Sequence, residues 1–137
     1  MVSSKYTKEV FEDGGAKNII YVPLGFDFYN FYRTNKPYLN PDIITMCLIG
    51  KFELRKQTER IIKLWIKKFG NDRRYQLNCL VYNPFFDQNT NQNLINQALE
   101  GKRVWNINFF PWLKTNAEVN DLLNASDINL GGLSLLE

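Results

Sequence analysis

A continuous apolar run, residues 43–49, and a second stretch that reads as a buried strand, residues 77–82, each stop at a turn residue and enclose an amphipathic stretch, Thr58–Phe69. A strand needs a run without polar alternation only when both its faces are buried. A helix joining two such strands makes a right-handed βαβ unit in a parallel sheet. That pairing excludes most folds open to a chain of 137 residues. It leaves an α/β domain, and the chain is long enough to bury a real core.

The remaining segments fit the same rhythm. Residues 3–13 read as a short helix stopped by Gly14-Gly15, and residues 19–22 as a β-branched strand closed by Pro23. Residues 29–42, broken by Pro37 and Pro41, read as loop. In Thr58–Phe69, Ile61, Ile62, Leu64, Trp65, Ile66 and Phe69 form an apolar face, Lys63, Lys67 and Lys68 lie outside, and Gly70 ends the helix. Residues 89–100 form a second helix before Gly101, and residues 104–110 a strand ended by Pro111. Thr115-Asn116-Ala117-Glu118 is a capping box opening a helix through Leu123, and residues 127–130 begin a last strand. The chain then ends without the closing helix of a doubly wound sheet, so the domain is expected to be incomplete. Leu130, Leu133, Leu135 and Leu136 then lack partners, which favours self-association as a dimer or a swapped C-terminus.

The composition removes several functions. There is no histidine, which excludes a Ser–His–Asp triad, a Cys–His dyad and a histidine zinc site. Cys47 and Cys79 sit inside apolar runs without metal spacing and read as reduced core thiols of a cytoplasmic protein. No apolar run approaches the ~18 residues of a transmembrane segment, and the N-terminus has no signal-peptide character. A net charge of +3 suits an anionic ligand but is too weak to argue for nucleic acid.

Ligands of a doubly wound sheet bind outside the carboxyl ends of its strands. After residues 43–49 come Gly50, Lys51, Arg55 and Lys56, directly before a helix. Cations and backbone N–H groups at such a turn suit phosphate oxygens, although a solvated basic loop has the same composition. Gly25, after the first strand, would let backbone approach a ligand, or is an ordinary turn. Phe110-Pro111-Trp112 lies at a strand end where a base could rest, or is packing surface. Gly131 and Gly132 precede the terminal Glu137, whose carboxylate could accept sugar hydroxyls.

In order and spacing these segments resemble the retaining nucleotide-sugar glycosyltransferases of family 4 (glycosyl transferases group 1), which have two Rossmann-like domains in the GT-B fold. Ser4-Lys5-Tyr6-Thr7-Lys8-Glu9-Val10 is similar to S-x-[WY]-x-K-E-x near the domain junction, and residues 20–27 to the V-I-P-x-G-V-D that follows. Residues 48–56 resemble V-G-R-x-x-x-x-K-G, whose two cations grip the donor diphosphate. Leu80-Val81-Tyr82 matches L-x-I-V-G, and Ala125-Ser126-Asp127-Ile128 matches A-D-V. Lys51 replaces the family's arginine, Gln57 a glycine, and Asn83-Pro84 a glycine-rich turn. The acidic motif is not present in full.

The resemblance implies a Rossmann-like parallel sheet with helices on both faces, the C-terminal half of a GT-B enzyme. Residues 1–18 would end the N-terminal domain and residues 19–137 would form the donor domain. It implies a UDP- or GDP-sugar as donor substrate, an unknown acceptor, no cofactor and no metal. Lys51 and Lys56 would act on the leaving diphosphate, and Gly25, Gly50, Arg55, Phe110 and Pro111 would border the donor. Glu137 would be the first motif glutamate, on the sugar, or the second, on the ribose. The first count is preferred, because the second leaves the last strand almost no length. The fragment alone would be inactive, and the parent protein could touch a membrane peripherally. The alternative is a non-catalytic α/β module whose basic loop meets an anionic ligand or protein.

Overall fold

The computed structural model describes residues 1–34 and 40–131. Four parallel strands, β1 (Ile44–Ile49), β2 (Tyr75–Leu80), β3 (Ile107–Phe109) and β4 (Ile128–Asn129), form one sheet in the order β3-β2-β1-β4. The helices are α1 (Lys5–Asp13), α2 (Thr58–Phe69), α3 (Gln88–Leu99) and α4 (Asn116–Asn124). Registers run from Ile44 opposite Tyr75 to Ile49 opposite Leu80, with Met46 opposite Ile128 and Leu77 opposite Ile107.

Strand alternation divides the sheet into two faces. Met46, Leu48, Leu77, Cys79 and Ile107 pack with Ile62, Trp65 and Ala98 in one core under α2 and α3. The opposite face presents Thr45, Cys47 and Asn78, with Gln76 and Asn108 both donating to Asn78 Oδ1. Winding from β1 through β2 to β3 keeps α2 and α3 on one face. The return from β3 across to β4 reverses direction, so a right-handed crossover carries α4 over the other face. Cys47 and Cys79 are buried and unbridged. Burial raises both thiol pKa values, Cys47 being partly offset by a hydrogen bond with Ser126.

Local chemistry explains the helix ends. Ser4 caps α1 by accepting from Thr7 N, and Asp87 caps α3 by accepting from Thr90 N. Thr115 and Glu118 complete a reciprocal box on α4. α2 spans the expected Thr58–Phe69, but Leu64 is turned outward rather than into the core.

Three expectations need correction. Residues 19–22 form no strand; Tyr21 makes only an isolated parallel bridge to Val2, and Ile20 and Val22 stay exposed. The strand expected over 77–82 lies two residues earlier. Val81 accepts from Phe52 N, and Asn83 is drawn into a network with Asn91, whose Nδ2 donates to Asn83 O, Phe86 O and Asp87 O. The strand expected over 104–110 shrinks to β3, because Trp105 and Asn106 are held by the turn after α2. Asn106 Nδ2 donates to Phe69 O, Asp72 O and Tyr75 O, and Asn71 Oδ1 accepts from Trp105 N.

Candidate functional site

The sheet order reverses between β1 and β4, and a crevice must open at their carboxyl ends. Two glycines sit there. Gly50 has φ +143°, a conformation that L side chains rarely adopt, and a Cβ there would meet Lys56 Nζ at 2.9 Å. A Cβ on Gly131 would meet the carbonyl oxygen of Ile49 at 2.8 Å. The backbones at the ends of β1 and β4 therefore close up, and Lys56 is folded back over the end of β1.

Beside them lies a cavity of about 370 Å³, lined by Gly50, Lys51, Lys56, Tyr82, Trp112 and Lys114 among others. β1 and its loop supply one wall, the end of β2 another, and the β3–α4 connection the third. Tyr82 and Trp112 meet edge to face, with ring centroids 6.3 Å apart. Lys114 stands just before the Thr115 cap, where its own N–H is taken by Glu118 Oε2 at 2.8 Å. Three cations thus border one small crevice with an aromatic pair.

The expected site residues divide. Gly50, Lys51 and Lys56 come together at the crevice. Lys51 is already engaged, with Nζ 3.6 Å from Glu53 Oε1 and 4.4 Å from the centroid of the Phe85 ring. Arg55 lies outside the crevice lining, 3.5 Å from the other Glu53 oxygen and largely exposed. Phe110 is half-buried and its N–H extends the pairing to Cys79 O; Pro111 is exposed, and the crevice wall begins at Trp112. Gly25 is exposed in open space, with nothing near a Cβ built on it. Its segment is moored elsewhere, where Tyr32 N and Thr34 N donate to Asn120 and Asn124 of α4. Asp27 in that segment has its carboxyl pKa lowered by the side-chain hydrogen bond from Asn30. Gly132 and Glu137 lie outside the described residues. Lys114 and Tyr82 were not foreseen.

A larger groove of about 670 Å³ runs along the flank of α2 and α3, lined by Leu54, Gln57, Leu64, Phe86 and Leu94 among others. It is more apolar, and none of Lys51, Lys56 and Lys114 lines it. The smaller crevice has the chemistry that an anion requires. Among the described residues, no group of acids and cysteines could hold a metal ion, and no helix is long and apolar enough to cross a membrane.

No family model and no curated protein matches the chain. Among solved structures it is similar to the C-terminal domain of a glycosyl transferase group 1 family protein (LpcC) from Francisella tularensis. The TM-score is 0.58 at 17% identity, over 77% of this chain and 57% of that one. At that identity the likeness shows the fold: a parallel α/β domain of the kind that forms the C-terminal part of that protein, spanning little more than half of its partner's length.

Proposed function

We propose that the crevice at the ends of β1, β2 and β3 binds the diphosphate of a UDP- or GDP-sugar, and that this chain is the donor domain of a retaining family 4 glycosyltransferase. The observation that carries this reading is Lys56 folded onto Gly50 at the point where strand order reverses, with Lys114 on the facing wall. When the glycosidic bond breaks, its electron pair stays on the nucleoside diphosphate. Preorganised cations beside that leaving group stabilise the developing charge without a metal. Lys56 is the first residue for this role. Lys51 joins it once released from Glu53. Gly50 leaves space for phosphate oxygens, and Trp112 rather than Phe110 or Pro111 borders the nucleotide. Glu137, as the first motif glutamate, would accept sugar hydroxyls, and as the second, ribose hydroxyls. Residues 1–18 belong to the junction with an N-terminal domain in this proposal. α1 fits such a place because none of its residues is buried and Tyr6, Val10 and Phe11 face solvent.

A non-catalytic anion-binding module is the second reading. The pairing of Glu53 with both Lys51 and Arg55 weakens the diphosphate grip on which the first reading rests, since it partly neutralises the loop. Thermal unfolding with UDP, GDP, their sugars and inorganic pyrophosphate separates the two, because a ligand of the folded state raises the midpoint. A nucleotide-specific shift supports the donor site. Equal shifts with pyrophosphate and every nucleotide support the anion module. Lys56→Ala should weaken nucleotide binding at least tenfold, from the roughly 1.5–3 kcal/mol of a charge-assisted contact. Lys67→Ala, on α2 away from the crevice, should change little, and equal losses would mean diffuse attraction.

A further inference from the structure

The opposite end of the sheet carries a second organised surface, built by the α2–β2 and α3–β3 turns. These turns are stapled together: Asn71 Nδ2 donates to Arg103 O, Asn71 Oδ1 accepts from Trp105 N, and the buried Asn106 accepts from Asn71 N. The staple sets Trp105, 56% exposed, beside Arg73 at a shallow depression of about 730 Å³ that Ile43 and Asn71 complete. Lys67, Lys68, Arg73, Arg74, Lys102 and Arg103 all stand exposed on these turns and the helix end before them. The nearby acids are Asp72, held by Arg74 at 2.8 Å, Glu100, held by Lys102 and Lys63, and the exposed Asp42. Among the described residues, Lys67, Lys68, Arg73 and Arg103 have no acidic partner.

From this juxtaposition we propose that the Trp105 surface docks on an anionic lipid bilayer. Cations share these turns with one exposed amphipathic indole, which suits the headgroup level, where the indole enters the boundary and the cations meet lipid phosphates. A nucleic acid fits less well, because the depression is a single hollow with one exposed aromatic rather than a groove with successive stacking rings. The surface lies at the amino ends of the strands, so docking leaves the crevice at their carboxyl ends open. This inference does not depend on what that crevice binds.

The test is sedimentation of the whole chain with phosphatidylcholine vesicles, with and without phosphatidylglycerol. Binding should require the anionic lipid, fall with salt, and shift tryptophan emission to the blue, a shift that Trp105→Phe abolishes. Arg73→Ala with Arg103→Ala should weaken partition by roughly fivefold per cation, while the unfolding midpoint stays in place. Lys5→Ala with Lys8→Ala, on α1, removes the same charge and should matter little. Absence of binding to anionic vesicles, an equal loss in the α1 variant, or tighter binding to single-stranded RNA than to vesicles would overturn the proposal.

Discussion

Glu53→Gln should tighten the binding of anions at the crevice. Glu53 is the loop's own counter-ion, with one oxygen 3.6 Å from Lys51 and the other 3.5 Å from Arg55. A phosphate that engages Lys51 must displace that carboxylate and also feel its repulsion. All three side chains touch solvent, so each pair is worth only about 0.2–1 kcal/mol rather than the several that bare Coulomb arithmetic gives. A remaining carboxylate some 6 Å from the ligand adds roughly 0.7 kcal/mol of repulsion at the dielectric of water. Removing both effects should gain about 1 kcal/mol, or roughly fivefold in affinity for UDP or pyrophosphate. Calorimetry at low and at physiological salt measures this, and the gain should shrink as salt screens the charges. In a Lys51→Ala background most of it should vanish. An unchanged affinity, or a weaker one, would refute the argument; a weaker one would mean that Glu53 positions Lys51 for the ligand instead of competing with it.

Other expectations follow from the same geometry. Asn106→Ala removes three donations to main-chain carbonyls at 3.0, 3.0 and 3.1 Å and should cost about 2–3 kcal/mol in chemical unfolding, whereas the exposed Asn108→Ala should cost far less. Asp72 should titrate near 2, held down first by the side-chain hydrogen bonds from Arg74, and Arg74→Ala should return it toward 3.8 in a carboxyl-resolved NMR titration. Because its folded pKa is depressed, the stability it contributes is present above about 4 and is lost as pH falls toward 2. Glu137→Gln, in a protein extended beyond that residue, should weaken nucleotide-sugar binding; a loss with the sugar alone marks the first motif glutamate, and a loss with the bare nucleotide too marks the second.

The elements most legible in the sequence were those with their own punctuation. α2 has a broad apolar face and a glycine stop, and both its ends fall where expected. α4 was announced by Thr115 and Glu118, which do form the reciprocal box. Residues 19–22 carry an equally clear local signal, yet strand formation needs a neighbour, and among the described residues only Val2 pairs there. The same non-local control shortened β3. Asn106 O still accepts from Leu77 N, but its side chain bridges three carbonyls of the preceding turn and fixes the chain there, and nothing in residues 104–110 alone reports where those carbonyls lie.

The site was legible to the extent that strand order decides it. Gly50 and Lys56 follow from a glycine and a cation at a strand-to-helix turn, and the observed φ of Gly50 gives that glycine its reason. On charge and spacing alone Lys51 ranks with Lys56 as a cation for the diphosphate, and Arg55 borders the same donor. The capture of Lys51 and Arg55 by Glu53 depends on how the loop folds once Phe52 is buried and its N–H donates to Val81 O. Lys114 is different, because its signal was present. The capping box places the start of α4 at Thr115, and the loop entering a helix after a parallel strand lies at the carboxyl end of the sheet. A lysine one residue before that cap must therefore stand beside whatever occupies the end of β1. The aromatic residues at 109–112 mark the strand end itself, and of them Trp112 reaches the crevice, together with Lys114 two residues further on.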